Sequence, residues 1–379
     1  MKKTSQHFFV LLILIFGSFE CFSQNYYLLA GTYTGSGSRG IYVYSFNEST
    51  GKAKWISNTD TASNPSFLIV SNNKKFVYAV NETNGNDPGR VSSYSFDKKT
   101  GTLKLINTQR SGGDDPCHLA ISKDDKWLTV ANYSGGNTSV LSLNKDGSIN
   151  PYTQLMQDTG TSVNKERQEK AHVHETVFSP DGHYVVTPDL GADKVMIYKF
   201  NSSSKDVLTH SSPAFIKIPA GNGPRHIIFS PGKKFAYVLC ELSGTVIGYN
   251  YSNGRFKQFQ EIATHKADYK GQPGSAELAM SLDGKFLYAS NRGDENNITI
   301  FSVNPATGKL TTAGYQNVKG QAPRNFIIDP TGRYLIAANQ TTNNIVIFKR
   351  NAKTGLLSAQ DDQIQVQKPV CLQMVKISD

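Results

Sequence analysis

The chain has 379 residues, of which 38% are hydrophobic and 18% are charged, a composition typical of a globular protein with a large core and not of a disordered chain. Its formal net charge is +10, but the basic residues are scattered singly or in pairs such as Lys74 and Lys75. This spacing does not match a nucleic-acid-binding arm, so we expect no nucleic acid partner, while the positive balance favours small anionic ligands.

Residues 1–23 have the pattern of a secretory signal peptide. Two lysines precede the apolar run FFVLLILIFGSF, and the small residues Cys21 and Ser23 follow it. We expect cleavage after Ser23, a mature chain that begins at Gln24, and export to the periplasm or secretion. The apolar run is too short for a membrane-spanning helix, so we expect no stable membrane insertion after cleavage. A lipid anchor on Cys21 is the alternative.

After this segment, short apolar strands that end in a polar residue recur seven times: LLAGTYTG, FVYAVNET, WLTVANYSGG, YVVTPDLGAD, FAYVLCELSG, FLYASNRGDE and YLIAANQTTN. Their polar ends are 49, 51, 57, 52, 50 and 48 residues apart and lie at Thr32, Asn81, Asn132, Asp189, Glu241, Asn291 and Asn339. A regular period of about fifty residues is typical of a repeat architecture.

Each repeat also contains an opening strand and a second hairpin, with turns such as SPDG and KKTG. Four strands repeated seven times predict an all-β fold, the seven-bladed β-propeller. The first repeat lacks its opening strand, and the C-terminal segment KPVCLQMVKI supplies one. We therefore expect a single propeller domain over residues 24–379 that is closed by its C-terminal strand. We expect a monomer, because a closed ring leaves no free sheet edge. Two stacked β-sandwiches do not predict this match between the termini.

The propeller geometry predicts which side chains meet at one mouth of the central channel. The innermost strand of a blade starts there and its antiparallel neighbour returns there, so Arg225 and Glu241 come together. The starts of the innermost strands supply Phe67, His118, His174, His226, Glu277, Asn325 and Cys371, with His172, Arg225 and Arg324 beside them. The ends of the neighbouring strands supply Asn81, Glu82, Asn132, Asp189, Glu241, Asn291 and Arg292. We expect a longer loop with Lys165, Arg167 and Gln168 to overhang this mouth.

The clustering of histidines and arginines in this mouth indicates a functional site. His172 and His174 lie on one side of a strand, as two metal ligands would, but no third ligand follows at a recognised spacing. We therefore predict no metal, with a metal bound by this histidine pair as the alternative, and we expect no organic cofactor. A lone Arg225–Glu241 pair would be explained as a tie between two strands. Further arginines at equivalent places favour an anionic ligand instead, because cations directed at one cavity repel one another.

Several segments also carry a resemblance to a known family. NPSFL, YAVNE, PCHLAIS, VANYSGG, AHVH, GPRHIIFSP, LYASNRG, APRNF and the final PVC resemble the propeller lactonases, which include bacterial 6-phosphogluconolactonases and fungal carboxy-muconate lactonising enzymes. The resemblance implies a catalytic cluster of His174, Arg225, Glu241 and Arg292, with Gln168, His172 and His226 nearby. The predicted mouth adds His118, Asn132 and Arg324 as further substrate-binding candidates.

Opening a lactone requires an activated water molecule and a polarised ester carbonyl. We expect His174 to act as the general base, with Glu241 orienting it or the water, and Arg225 to stabilise the oxyanion. Arg292 and Arg324 are expected to hold the phosphate or carboxylate of a small anionic lactone. The prediction is a 6-phosphogluconolactonase-like hydrolase. The alternatives are a muconate-type cyclase and a non-catalytic binding scaffold in the cell envelope.

Overall fold

The computed structural model describes residues 26–35, 37–60 and 62–377, so the predicted signal peptide and its cleavage site lie outside the described residues. Within these ranges the chain forms 28 β-strands in seven four-stranded antiparallel sheets. The sheets are the blades of a ring, which confirms the predicted all-β, seven-bladed β-propeller. In the same ranges, no helix is long and apolar enough to cross a membrane.

Blade 1 combines the first three strands of the chain with the last one: β1 (Tyr26–Thr32), β2 (Tyr42–Phe46), β3 (Ala53–Asn58) and β28 (Pro369–Lys376). Blades 2 to 4 each take the next four strands: β4 (Leu68–Val70), β5 (Phe76–Asn81), β6 (Arg90–Asp97), β7 (Thr102–Arg110), β8 (Pro116–Ile121), β9 (Trp127–Asn132), β10 (Asn137–Leu143), β11 (Ile149–Gln157), β12 (Val177–Phe178), β13 (Tyr184–Asp189), β14 (Lys194–Phe200) and β15 (Leu208–Lys217). Blades 5 to 7 follow in the same way: β16 (Pro224–Phe229), β17 (Phe235–Cys240), β18 (Thr245–Ser252), β19 (Arg255–Ala263), β20 (Ser275–Met280), β21 (Phe286–Asn291), β22 (Asn297–Val303), β23 (Leu310–Asn317), β24 (Pro323–Ile328), β25 (Tyr334–Asn339), β26 (Asn344–Arg350) and β27 (Leu357–Gln365).

The hydrophobic pattern of a strand follows its place in the blade. The second strand of blade 5, Phe235–Cys240, is buried at every position, as expected for a strand that is covered on both faces. The outermost strand, Arg255–Ala263, exposes its charged residues to solvent. The core therefore lies between neighbouring blades.

The turn between the first two strands of a blade repeats the same hydrogen bonds. In blade 5, the Ser230 amide donates to the Phe235 carbonyl (2.9 Å), and the Phe235 amide donates to the Ser230 hydroxyl (3.1 Å). Ser281 and Phe286 form the same two bonds in blade 6, at 2.8 and 3.0 Å. Because the turn sets the register of the strands it joins, equivalent sequence positions become equivalent positions in space.

The C-terminal strand closes the ring. β28 pairs antiparallel with β1, with Leu372 opposite Ala30. Leu372 is fully buried and belongs to one apolar cluster with Phe46 of blade 1 and Tyr334 of blade 7. This pairing confirms the predicted closure, and it covers sheet edges that would otherwise be exposed.

Side-chain hydrogen bonds between neighbouring blades tie the channel wall together. Glu175 Oε2 accepts from the Ile227 amide (2.5 Å), and Asn325 Oδ1 accepts from the Leu372 amide (2.8 Å). Cys371 Sγ accepts from the amide of Leu68, the first residue of β4 (3.3 Å). These three side chains occupy equivalent positions in their blades, so one ring of residues links successive blades and supports the mouth.

Candidate active site

A β-bulge at the start of the innermost strands directs two adjacent residues into the channel. In blade 5, Pro224 pairs with Cys240 and His226 with Leu239, so Arg225 is an extra residue between two ladder positions. The same register shift occurs in blades 3 and 7. Without a bulge, adjacent residues would face opposite sides of the strand. With it, Arg225 lines the mouth and His226 lies one layer deeper.

This bulge corrects the predicted ring in blade 4. The pairing of Val173 with Asp189 makes His174 equivalent to Arg225, and Glu175 takes the deeper position that was predicted for His174. The layer nearer the mouth consists of Ser66, Cys117, His174, Arg225, Ala276, Arg324 and Val370. The deeper layer consists of Phe67, His118, Glu175, His226, Glu277, Asn325 and Cys371. The prediction that placed His174 in register with His118 and His226 is therefore wrong by one residue.

The ends of the second strands show the same offset. Cys240 is the residue that pairs with the start of its inner strand, as Asn132 and Asn339 do in their blades. Glu241 is therefore equivalent to the residue that follows the second strand in the other blades: Tyr33, Glu82, Tyr133, Leu190, Arg292 and Gln340. The predicted grouping of Glu241 with Asn132 is wrong for this reason.

The bulge residues and the residues after the second strands together surround one pocket of about 270 Å³. Its lining consists of Tyr33, Glu82, Cys117, Tyr133, Arg167, His174, Arg225, Glu241, Arg292 and Arg324. All seven blades contribute to it. The structure thus brings the four predicted catalytic residues, and also Arg324, into a single cavity.

Glu241 is the centre of an arginine cluster. Its Oε2 accepts from Arg225 Nη1 at 2.6 Å and lies 2.9 Å from Arg292 Nη2, while its Oε1 accepts from Arg167 Nη2 at 2.8 Å. Burial would raise the pKa of the Glu241 carboxyl, but Arg292, Arg225 and Arg167 outweigh this effect and hold the pKa far below its usual value. Glu241 is therefore a carboxylate that organises cations.

Arg225 is held from three sides. It donates to Glu241, its Nε donates to the Ala276 carbonyl (2.8 Å), and its Nη1 makes a close contact with His174 Nε2. Burial, followed by the charge of Arg225, holds the pKa of His174 well below its usual value, so the imidazole is neutral. A neutral ring that accepts from Arg225 at Nε2 carries its proton on Nδ1, the nitrogen that faces Cys117 Sγ at 3.8 Å. This geometry leaves His174 without a free lone pair and favours a role in positioning Arg225.

The opposite wall of the pocket contains a second carboxylate. The Tyr33 hydroxyl donates to Glu82 Oε1 at 2.8 Å. Arg324 Nη2 lies 4.0 Å from Glu82 Oε2, and the guanidinium carbon of Arg324 lies 5.5 Å from the centre of the Tyr33 ring.

Burial lowers the pKa of Arg292 to about 10, with Glu241 opposing the shift and the charges of Arg225 and Arg324 adding to it. Arg292 therefore stays charged at neutral pH.

The loop before β12 overhangs the mouth, as predicted, and contributes Arg167. The Arg167 guanidinium donates to the Tyr133 hydroxyl (3.2 Å) as well as to Glu241, and 43% of its side chain is exposed. Gln168 anchors this loop from below, because its Nε2 donates to the Leu190 carbonyl (2.9 Å) and to Asp193 Oδ2 (2.8 Å). Arg167, and not Gln168, is the residue that reaches the pocket.

Three predicted substrate-binding residues do not line the pocket. Gln168 is fully buried beneath the loop. Asn132 is also fully buried, and its Nδ2 donates to Asn137 Oδ1 (2.7 Å) inside blade 3. His172 stacks on the back of Tyr133 with ring centres 4.4 Å apart, and its Nε2 lies 3.0 Å from Glu169 Oε1. These positions contradict direct contact with a ligand in the pocket and indicate supporting roles.

His118 and His226 lie beneath the pocket floor. His226 lines a deeper cavity of about 10 Å³, which is too small for an organic ligand, and its Nδ1 lies 3.0 Å from Glu277 Oε1. His118 Nε2 lies 3.6 Å from Glu175 Oε1. Among the described residues, no group of three or more histidine, cysteine, aspartate or glutamate side chains is arranged to hold a metal ion.

The mouth predicted from the sequence omitted three lining residues: Tyr33, Cys117 and Tyr133. It included Glu82 and Arg167, but neither was named as a catalytic or substrate-binding candidate. Cys117 precedes His118 as Arg225 precedes His226, and Tyr33 and Tyr133 directly follow a second strand as Glu241 does. A register that aligned Cys240 with Asn132 would have found them.

Comparisons with known proteins agree with this architecture. The protein family described as "Lactonase, 7-bladed beta-propeller" matches residues 27–374. A 6-phosphogluconolactonase from Formosa agariphila is 39% identical over 342 residues, covering 89% of this chain and 96% of the relative, and one from Bacillus subtilis is 36% identical over 350 residues, covering 91% and 97%. The solved structure of the Pseudomonas aeruginosa periplasmic gluconolactonase superimposes with a TM-score of 0.88 at 37% identity, covering 93% of this chain and 99% of that one.

Proposed function

Because this chain belongs to the seven-bladed β-propeller lactonase family, we propose that it hydrolyses the ester bond of a small anionic sugar lactone in the mouth pocket. The observation that carries the proposal is the arrangement of Arg225. Its side chain is buried from bulk solvent, is held by three acceptors and lines the cavity. Such a fixed cation is what a developing oxyanion requires.

Arg225 polarises the lactone carbonyl in this proposal. Its guanidinium is already oriented, so it needs no rearrangement when negative charge develops on the carbonyl oxygen. Glu241 and His174 are positioning residues for Arg225, and Arg292 is the second cation near the same carboxylate. This assignment replaces the general-base role expected for His174 from the sequence.

The charge of the pocket favours an anionic substrate. Four arginines face two glutamates, and His174 is neutral, so the formal charges of the lining sum to +2. Arg324 and the half-exposed Arg167 are the candidates for binding a phosphate or carboxylate, because a guanidinium offers paired donors to such a group. Arg292, also expected to clamp the anion, contacts Glu241 too, but only 20% of its side chain is exposed, compared with 43% for Arg167.

We propose export to the periplasm or beyond. The pattern of residues 1–23 supports this location, as does the periplasmic location stated in the name of the Pseudomonas aeruginosa protein. Fractionation of cells that express the full chain tests it. We expect a mature protein that begins at Gln24 outside the cytoplasm, and an uncleaved protein in the cytoplasm would contradict the proposal.

The activity test uses the chain from Gln24 with 6-phosphoglucono-δ-lactone and glucono-δ-lactone in parallel. Proton release above the spontaneous rate reports ring opening, and the preferred substrate shows whether a phosphate is recognised. We expect Arg225→Ala to lower kcat by about 10²-fold or more. Arg255→Ala, at an exposed position on the outer strand of the same blade, is the matched control and should leave the rate unchanged. Failure to accelerate the opening of either lactone would contradict the proposal.

A further inference from the structure

We propose that Glu82 is the general base that activates the hydrolytic water, an inference that rests on the proposed lactonase function. Glu82 faces the pocket from blade 2, while Arg225 and Glu241 face it from blade 5. In this proposal, a lactone bound between these walls directs its carbonyl oxygen toward Arg225 and one face of its carbonyl carbon toward Glu82.

The other acidic or basic side chains of the lining are poorly suited to this step. The three arginines around Glu241 occupy its oxygens and hold its pKa far below the usual value, which makes it a weak base. His174 Nε2 is in contact with Arg225. Cys117 stays a thiol because burial raises its pKa, with Glu82 as the next cause.

Glu82 differs from these groups in its unused acceptor capacity. Its Oε1 accepts from the Tyr33 hydroxyl at 2.8 Å, but Oε2 accepts no hydrogen bond from any residue in the described ranges. In these ranges, the only ion pair that Oε2 forms is with Arg324 Nη2, at 4.0 Å. A buried carboxylate oxygen without a donor is costly, and a water molecule or a substrate hydroxyl would satisfy it.

The backbone around Glu82 holds the carboxylate in place. The Glu82 amide donates to the Asn64 carbonyl (3.1 Å), and Asn64 Nδ2 donates to the Glu82 carbonyl (3.0 Å). Burial raises the pKa of Tyr33, so its hydroxyl remains a donor to Oε1 and does not compete for the proton. Tyr33 is therefore a positioning residue for Glu82.

Water is the only co-reactant that the step requires. Glu82 Oε2 takes a proton from the water as the water oxygen bonds to the carbonyl carbon, and the carbonyl π electrons move to the oxygen near Arg225. The tetrahedral intermediate then collapses, the ring C–O bond breaks, and the leaving alkoxide takes the proton back from Glu82. The new carboxylic acid loses its proton to solvent.

Glu82→Gln tests the assignment, because it keeps the shape and the bond to Tyr33 but removes the base. We expect kcat to fall by about 10²–10⁴-fold with little change in KM. Glu261→Gln, an exposed glutamate on an outer strand, is the matched control. A second variant, Glu82→Ala, should regain activity in a saturable manner when formate is added, whereas Arg225→Ala should not.

The outcomes separate the two proposals. If the wild-type protein opens no lactone, the proposed function and this inference both fall. Suppose that the wild type is active, that Glu82→Gln keeps a rate within about threefold of the wild-type rate, and that formate has no effect on Glu82→Ala. Only the base assignment is then overturned. A folded Glu82→Ala variant whose lost activity formate does not restore would likewise count against Glu82 as the base.

Discussion

Arg225 Nη1 and Glu241 Oε2 lie 2.6 Å apart, although sixteen residues separate them along the chain. Both side chains are almost fully buried, at 3% and 5% exposure. The hairpin of β16 and β17 brings them together, and the bulge at Arg225 aims the guanidinium at the pocket. The guanidinium groups of Arg167, on the overhanging loop, and Arg292, in blade 6, contact the same carboxylate.

Glu241→Gln should therefore be strongly destabilising. The substitution leaves three arginines around a neutral amide, and loss of one partner from a buried charge cluster typically costs about 3–5 kcal/mol. Chemical denaturation measures the change in the free energy of unfolding. Asp362→Asn is the control, since Asp362 and Lys52 form an exposed pair at 3.6 Å for which we expect less than about 1 kcal/mol. Similar small effects for both variants would show that the cluster is not held by Glu241.

Arg167→Ala should weaken substrate binding more than chemistry. Arg167 sits on the overhanging loop with an exposed edge, so its loss removes a cation from the entrance while Arg225 stays in place. We expect KM for a phosphorylated lactone to rise about tenfold, equivalent to one charge-assisted hydrogen bond, with kcat within about threefold. Lys165→Ala on the same loop is exposed and serves as the control. A fall in kcat at constant KM would instead place Arg167 in the chemical step.

Asp158 makes stability depend on pH. Burial raises its pKa to about 7, an effect that the hydrogen bond from Tyr198 opposes. The folded protein thus binds a proton that the unfolded chain has released, so the stabilising contribution of Asp158 is complete below about pH 4 and is lost as the pH rises toward 7. Asp158→Asn mimics the protonated form. Its stability relative to the wild type should increase by at least about 1 kcal/mol between pH 5 and pH 8.

Melting temperatures across this pH range test the effect. Asp206→Asn, at an exposed position, is the control and should follow the wild-type curve. A constant difference between Asp158→Asn and the wild type at every pH would mean that Asp158 does not titrate in this range.

Leu372→Ala tests the closure of the ring. Leu372 belongs to the C-terminal strand and is fully buried between blades 1 and 7, so the lost packing should cost about 2–5 kcal/mol. Leu356→Ala, at a leucine that is 47% exposed, should change the free energy of unfolding by less than about 1 kcal/mol. Equal effects of the two substitutions in denaturation would indicate that the last strand adds little to the stability of the ring.

The repeat alone determined the architecture of this protein. A period of about fifty residues with four strands per copy leaves few alternatives, because the apolar inner strands must be covered on both faces and exposed sheet edges must be protected. The missing opening strand of the first repeat and the extra strand at the C-terminus predict the closure that Leu372 and Ala30 form. The same logic brought Arg225, Glu241, Arg292 and His174 to one mouth.

Only the tertiary structure decided which of two residues adjacent in sequence faces the pocket at the end of a strand. Alternation in an ideal strand would place Arg225 and His226 on opposite faces, but the bulge inserts a residue and turns both toward the channel in successive layers. Sequence spacing alone does not reveal this insertion. Asn132 was selected where Tyr133 lines the cavity because Glu241 was aligned one residue too early, and Gln168 was selected from the family resemblance where Arg167 lines the cavity. A one-residue shift along a strand moves a side chain from the pocket into the blade, and hydrogen-bond pairing between strands is what sets that shift.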